Sequence, residues 1–150
     1  MRRPRPLVLV LVLVAFVAVS VGLARFLTAE SRERDALVDV LTAQAAGDPG
    51  AMLDAMDPSC RRAPACVAQV RRNARGQRLP GEVKIINVQS QTAYALGAAT
   101  GTTRVVWAVV DRGLPTVQCV EIRRKGSALA GRSISVLRVS APIDRESSCP

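Results

Sequence analysis

The sequence predicts an α+β protein: one N-terminal transmembrane helix, then short helices packed on a bent antiparallel sheet. Three observations predict it. Leu7 to Ala24 is an uncharged run of eighteen residues. Residues 29–80 set apolar side chains at helical spacing between Pro and Gly breaks. From Gly81 onward the apolar period changes to two.

The uncharged run comes first. Eighteen helical residues span about 27 Å, and Phe26 and Leu27 beyond a snorkelling Arg25 extend this to about 31 Å. A hydrocarbon core is about 30 Å thick, so the expectation is a single membrane span over 7–27 behind a cytoplasmic tail of residues 1–6. Gly22-Leu23-Ala24 is a passable cleavage tripeptide, but the run is longer than the usual signal segment, which favours an uncleaved anchor. Flanking charge sets the orientation by one group only: Arg2, Arg3, Arg5 and the amino terminus against Arg25, Arg32 and Arg34. The cysteines carry that decision. Cys60, Cys66, Cys119 and Cys149 are even in number, and the chain has no histidine and no CxxC, so disulfides outside the cytoplasm fit better than a metal site. Neither a metal nor a cofactor is expected. The predicted location is a cell membrane, with the C-terminal domain extracytoplasmic.

The helices follow in order. Leu37, Val40, Leu41 and Ala45 share one face of a helix over 29–46, with Glu30 and Arg34 as an i,i+4 pair. Gly47 fits its C-cap. Asp48-Pro49 restarts a helix with Asp as N-cap and Pro at the first position, turning Met52, Ala55 and Met56 inward, and Asp57-Pro58 repeats the device. A further helix from Pro64 carries Val67, Val70 and Ala74 on one side.

Five strands are predicted, over 82–90, 92–96, 102–111, 115–124 and 132–141, broken at Gly97…Gly101, Gly113-Leu114-Pro115 and Lys125-Gly126…Gly131. Val105 to Val110 is apolar at every position, which predicts a central strand covered on both faces. Two strands change phase: Val83 and Ile85 give way to Ile86 and Val88, and Ile134 and Val136 to Leu137 and Val139. A bulge in each would re-aim the side chains and bend the sheet.

Short helices followed by a bent antiparallel sheet, with the opening Leu41…Gly47-Asp48-Pro49-Gly50, resemble the nuclear transport factor 2-like (cystatin-related) cone domains of actinobacterial membrane-anchored proteins. The resemblance covers residues 29–143, followed by a tail over 144–150. It implies a scaffold or accessory subunit of the cell envelope and brings no catalytic residues. Nineteen arginines against two lysines, with abundant Ala and Val, agree with such a high-GC source.

Composition removes other classes. Setting aside Arg2, Arg3, Arg5 and Arg25 leaves seventeen basic and twelve acidic groups, a net +5. With both Phe in the anchor, Tyr94 and Trp107 are the only aromatic residues beyond it, too few for base or sugar stacking, so no nucleic acid is expected. Tyr94 has no recognisable catalytic partner. Residues 58–80 hold six arginines and no acid, of which Arg71, Arg75 and Arg78 form a candidate patch for an anionic partner or the solvated face of a helix. Asp54 and Asp57 are spaced as a carboxylate pair, but an N-cap role for Asp57 accounts for half of it. Of the three possible disulfide pairings, Cys60–Cys66 across a Pro-containing turn and Cys119–Cys149 tying the tail to the sheet are favoured. The expected function is a non-catalytic, membrane-anchored scaffold with an envelope protein partner. The alternative is a module holding a small apolar ligand between Met52, Met56, Val106 and Ile122.

Overall fold

In the computed structural model, which describes residues 6–92, 98–127 and 131–149, the chain forms α1 (Pro6–Ala46), α2 (Pro49–Ala55), α3 (Pro58–Arg62), α4 (Pro64–Gly76), β1 (Val83–Thr92), β2 (Ala98–Val109), β3 (Arg112–Ser127) and β4 (Gly131–Val139). The strands make one antiparallel meander in the order β1-β2-β3-β4.

The N-terminal expectation is corrected. Among the described residues no helix is long and apolar enough to cross a membrane. The uncharged run is no separate helix ending at Leu27. It is the front of α1, which continues unbroken through the charged stretch Glu30–Asp39 into the core. Val10, Leu13, Phe16, Val17 and Leu23 on this front are exposed.

The rear of α1 buries Leu37, Val40, Leu41 and Ala45 as their spacing requires. Gly47 ends it at φ +75°, where its N–H donates to Gln44 O (3.0 Å) and the Asp48 N–H to Ala43 O (3.0 Å). That is the paired closure a left-handed glycine permits. A side chain at Gly47 would also meet Arg78, whose Cγ lies 2.8 Å from where its Cβ would stand. Asp48 then accepts from the Gly50 and Ala51 N–H groups, and Asp57 from that of Ser59, each ahead of a Pro at the first turn. Met52 and Met56 are buried, but Ala55 is exposed because α2 stops there, and Leu53 packs against the core in its stead. On α4, Val70 and Ala74 are buried and Val67 is half-buried.

Both phase changes are bulges. The β1–β2 register shifts between Ile85 and Asn87, leaving Ile86 unpaired. The β3–β4 register steps from Arg138 to Val136 opposite Glu121 and Ile122, leaving Leu137 as the extra residue. The predicted break at Gly113-Leu114-Pro115 falls inside β3 as a third irregularity, because the chain reverses earlier, at Val110-Asp111, with Asp111 at φ 57°. Gly101 belongs to β2. Thr92 ends β1, and the rest of the predicted strand 92–96, with Tyr94, lies outside the described residues.

The strand covered on both faces is not the one predicted. In β2, Val105, Trp107 and Val109 are buried, while Val106 and Ala108 are half-buried and Val110 is exposed. It is β3 that is buried at four successive positions, Val117 to Val120. Its Gln118, Val120 and Ile122 face the helices. The C-terminal tail first pairs in the plane of the sheet with β3, through an Ile143 N–H to Val117 O bond (2.8 Å), and its end then lies on the strand's opposite face, held there by the Cys119–Cys149 bridge.

At the centre of the helix side lies a polar knot. Gln118 Oε1 accepts from Trp107 Nε1 (2.9 Å) and from Gln44 Nε2 (3.0 Å), and its Nε2 donates to Ser140 O (2.9 Å). Both Gln side chains are 0% exposed, and Gln44 Oε1 has no partner. Losing a partner from a buried polar group costs about 1–3 kcal/mol. Gln118→Leu strands the indole N–H and the Gln44 amide together, so it is expected to lower unfolding stability by about 2–5 kcal/mol in a urea titration, and Gln44→Met by less than half as much.

Candidate functional site

The predicted site residues do not converge. Met52, Met56 and Ile122 belong to the filled core cluster. Val106 points away from it, since its strand neighbours Val105 and Trp107 both point in. These four residues therefore do not line one cavity. Arg71 and Arg75 are exposed one turn apart on α4. Arg78 is not on their face: the helix has ended at Gly76, and its stem lies across Gly47 at the C-terminal end of α1, where a cation is favoured.

The cysteines pair as expected. Cys60–Cys66 closes the α3–α4 corner with Cα atoms 5.3 Å apart, and Cys119–Cys149 spans 5.6 Å. Arg104, opposite Cys119 on β2, holds the same tail by donating to the carbonyls of Ser147 (3.1 Å) and Arg145. The second bridge closes a loop of about thirty residues and the first one of about six, so by loop entropy the second is worth about 1.4 kcal/mol more. Replacing Cys119 and Cys149 together by Ser is expected to lower the melting temperature more than the same change at Cys60 and Cys66.

The candidate carboxylate pair is divided between two structural tasks. Asp54 pairs with Arg61 at the surface. Asp57 caps α3, and its carboxyl is held below the ordinary value of 3.8, first by the Ser59 backbone N–H, then by the Ser59 side chain and by Arg123 at 3.6 Å. A lowered carboxyl stabilises the folded chain fully above its unfolded value and loses that contribution as pH falls through the folded one. Asp57→Asn, which still caps, is therefore expected to be less stable than the parent at pH 6. The gap should close in acid unfolding below about pH 3.8.

The topology builds a cleft of about 380 Å³ between α1 and β1, lined by Glu33, Arg34, Leu37, Ile86, Val88 and Ser90, among others. Glu33 is gripped by Arg124 of β3 through a fork, with Nε to Oε2 at 3.0 Å and Nη2 to Oε1 at 2.7 Å. Ser90 Oγ donates to Glu33 Oε1 (3.4 Å) and meets Thr103 Oγ1 at 3.2 Å. Arg34 Nη2 donates to Ile85 O (3.2 Å), at the bulge. The Glu30 side chain, predicted to pair with Arg34, lies outside the described residues. A carboxylate held in this way orders α1 on the sheet. Arg124 gave no signal in the sequence, because its partner stands ninety-one residues away. Among the described residues no three His, Cys, Asp or Glu side chains gather as a metal site.

No family model matches the chain, and neither a curated protein nor a solved structure gives a match.

Proposed function

We propose that the chain is a non-catalytic scaffold or accessory protein of the cell envelope, working outside the cytoplasm and docking through the front of α1. One observation carries the reading. A single unbroken helix has its rear half locked in the core and its front half lined with exposed apolar residues, Val8 to Leu23. Contiguous apolar surface of this kind marks an interaction site. Because the helix is continuous, whatever the front binds is held at a fixed position relative to the domain.

Two further facts support it. Three carboxylates in the candidate positions have structural partners: Asp54 with Arg61, Asp57 as a cap and Glu33 with Arg124. Two disulfides suit an oxidising compartment. The order of helices before an antiparallel sheet also supports the nuclear transport factor 2-like reading, which belongs to this proposal.

The test is photo-crosslinking in intact cells, with a reactive residue at Val14 or Phe16 and, as comparison, at Arg71. Val14 and Phe16 are expected to give a protein adduct of one defined mass, and Arg71 none. Adducts to lipid alone at the α1 positions, or no reproducible protein adduct, would overturn it.

A further inference from the structure

The two disulfides stand in different surroundings. Cys60 (2% exposed) and Cys66 (8% exposed) both belong to the core cluster, and Cys66 Sγ lies 3.6 Å from Leu137 O. Cys119 is buried but lies outside that cluster, and its partner Cys149 is only half-buried. Ile143 is the tail residue that pairs with the sheet. Beyond it the chain makes a turn of its own, the Ser147 N–H donating to Asp144 O (3.0 Å), and Arg104 and the bridge hold it to the domain. The segment is not packed down. A cleft of about 300 Å³ is left between Gln89 and Arg104 on the sheet and residues 146–149. Among the described residues Arg104 has no carboxylate partner, and its guanidinium engages the tail carbonyls instead.

We propose that the Cys119–Cys149 bridge is a reducible latch: a dithiol opens it at Cys149, the tail beyond Ile143 lifts, and Arg104 is uncovered while the rest of the domain stays folded. Exchange needs access to a sulfur, and Cys149 is the most exposed of the four. A thiolate of the dithiol attacks Cys149 Sγ, forming a mixed disulfide and expelling Cys119 as a thiolate, which takes up a proton. The second thiol of the reagent, having lost its proton, attacks the reagent's own sulfur in the mixed disulfide and releases Cys149. One protein disulfide has become two thiols, and the dithiol has become a disulfide. The opening is local, because Ser140 stays bonded to Gln118 and to the Cys119 N–H, and α1 stays held by Gln118 and Arg124. Opening Cys60–Cys66 would instead need access to two buried sulfurs within the core cluster. What the latch switches is access to a cation on the outer face of β2. It does not involve the front of α1, so either proposal stands without the other.

The test is reduction of the full chain by dithiothreitol under native conditions in a non-ionic detergent, quenched with an alkylating agent and read by peptide mass. Cys119 and Cys149 are expected to be alkylated about tenfold faster than Cys60 and Cys66, or more, with the circular dichroism unchanged. Over the same interval Arg104 should become reactive to phenylglyoxal, and reoxidation should protect it again. With glutathione in place of the dithiol, the trapped adduct should sit on Cys149. Replacing Cys119 and Cys149 together by Ser should leave Arg104 reactive without any reductant. An unreactive Cys119–Cys149 bridge, opening of both bridges together or of Cys60–Cys66 first, or loss of the circular dichroism signal as the latch opens would each overturn the proposal. So would a glutathione adduct on Cys119, or an Arg104 that stays protected in the reduced chain.

Discussion

The fold turns on one carboxamide. Trp107 Nε1 can only donate, so Gln118 must present its oxygen to the indole, and its nitrogen is thereby turned to Ser140 O. Gln44 must then approach that same oxygen with its amide nitrogen, because its own oxygen there would face another acceptor. Each orientation follows from the one before, starting from a group that has no alternative. The cost is an unpartnered Gln44 Oε1. What the cost secures is a unique arrangement of α1, β2, β3 and the chain after β4, since a purely apolar contact would accept small slides that this knot does not.

A second clamp completes the constraint. Along α1, Glu33 and Gln44 are eleven residues apart, about 16 Å. Their partners on β3, Arg124 and Gln118, are six residues apart, about 20 Å. The helix therefore runs opposite to the strand and is pinned to it near both ends of its buried half, with Leu37, Val40 and Leu41 filling the space between. Neither clamp is a reactive group. Both are the means by which a long helix is held at one angle to a sheet, and the direction in which its apolar front projects is fixed by them.

What could be read from the sequence was local. Asp48-Pro49, Asp57-Pro58 and Gly47 announce their caps because each cap is made within a few residues. The phase changes at Ile86 and Leu137 announce bulges because alternation breaks at one residue. Cys60 and Cys66 announce their bridge by proximity. The features that escaped depend on remote chain. Gln118 sits between Val117 and Cys119 and gives no sign that an indole and a second glutamine meet it. Val105 to Val110 reads as a doubly covered strand, whereas the tail that covers an outer face lies on β3, a choice made by Cys149 and Arg104. The apolar run reads as a helix in its own right, but hydropathy alone does not show that the helix continues through the largely charged and polar stretch from Arg25 to Ala36 before it reaches the core at Leu37. The reversal at Val110-Asp111 has no Gly in its two central residues to mark it, so the sequence points to the Gly113 that follows.

These placements confine where recognition happens. One face of the sheet is taken up by the helices, and on the other the end of the tail is held over Cys119 and Arg104. The β4 edge is bonded by Asp57 and Asn73. Gln44 and Gln118 are engaged in holding α1, and Met52, Met56 and Ile122 are packed into the core. A protein arranged in this way has its chemistry turned inward and its unfinished surfaces at the periphery, on the front of α1 and the second half of β1. Both are apolar or uncharged in an otherwise basic chain, and both are presented by elements rigidly tied to the knot at Gln118. Under the proposed scaffold function, geometry is set by the interior and contact is made at the rim.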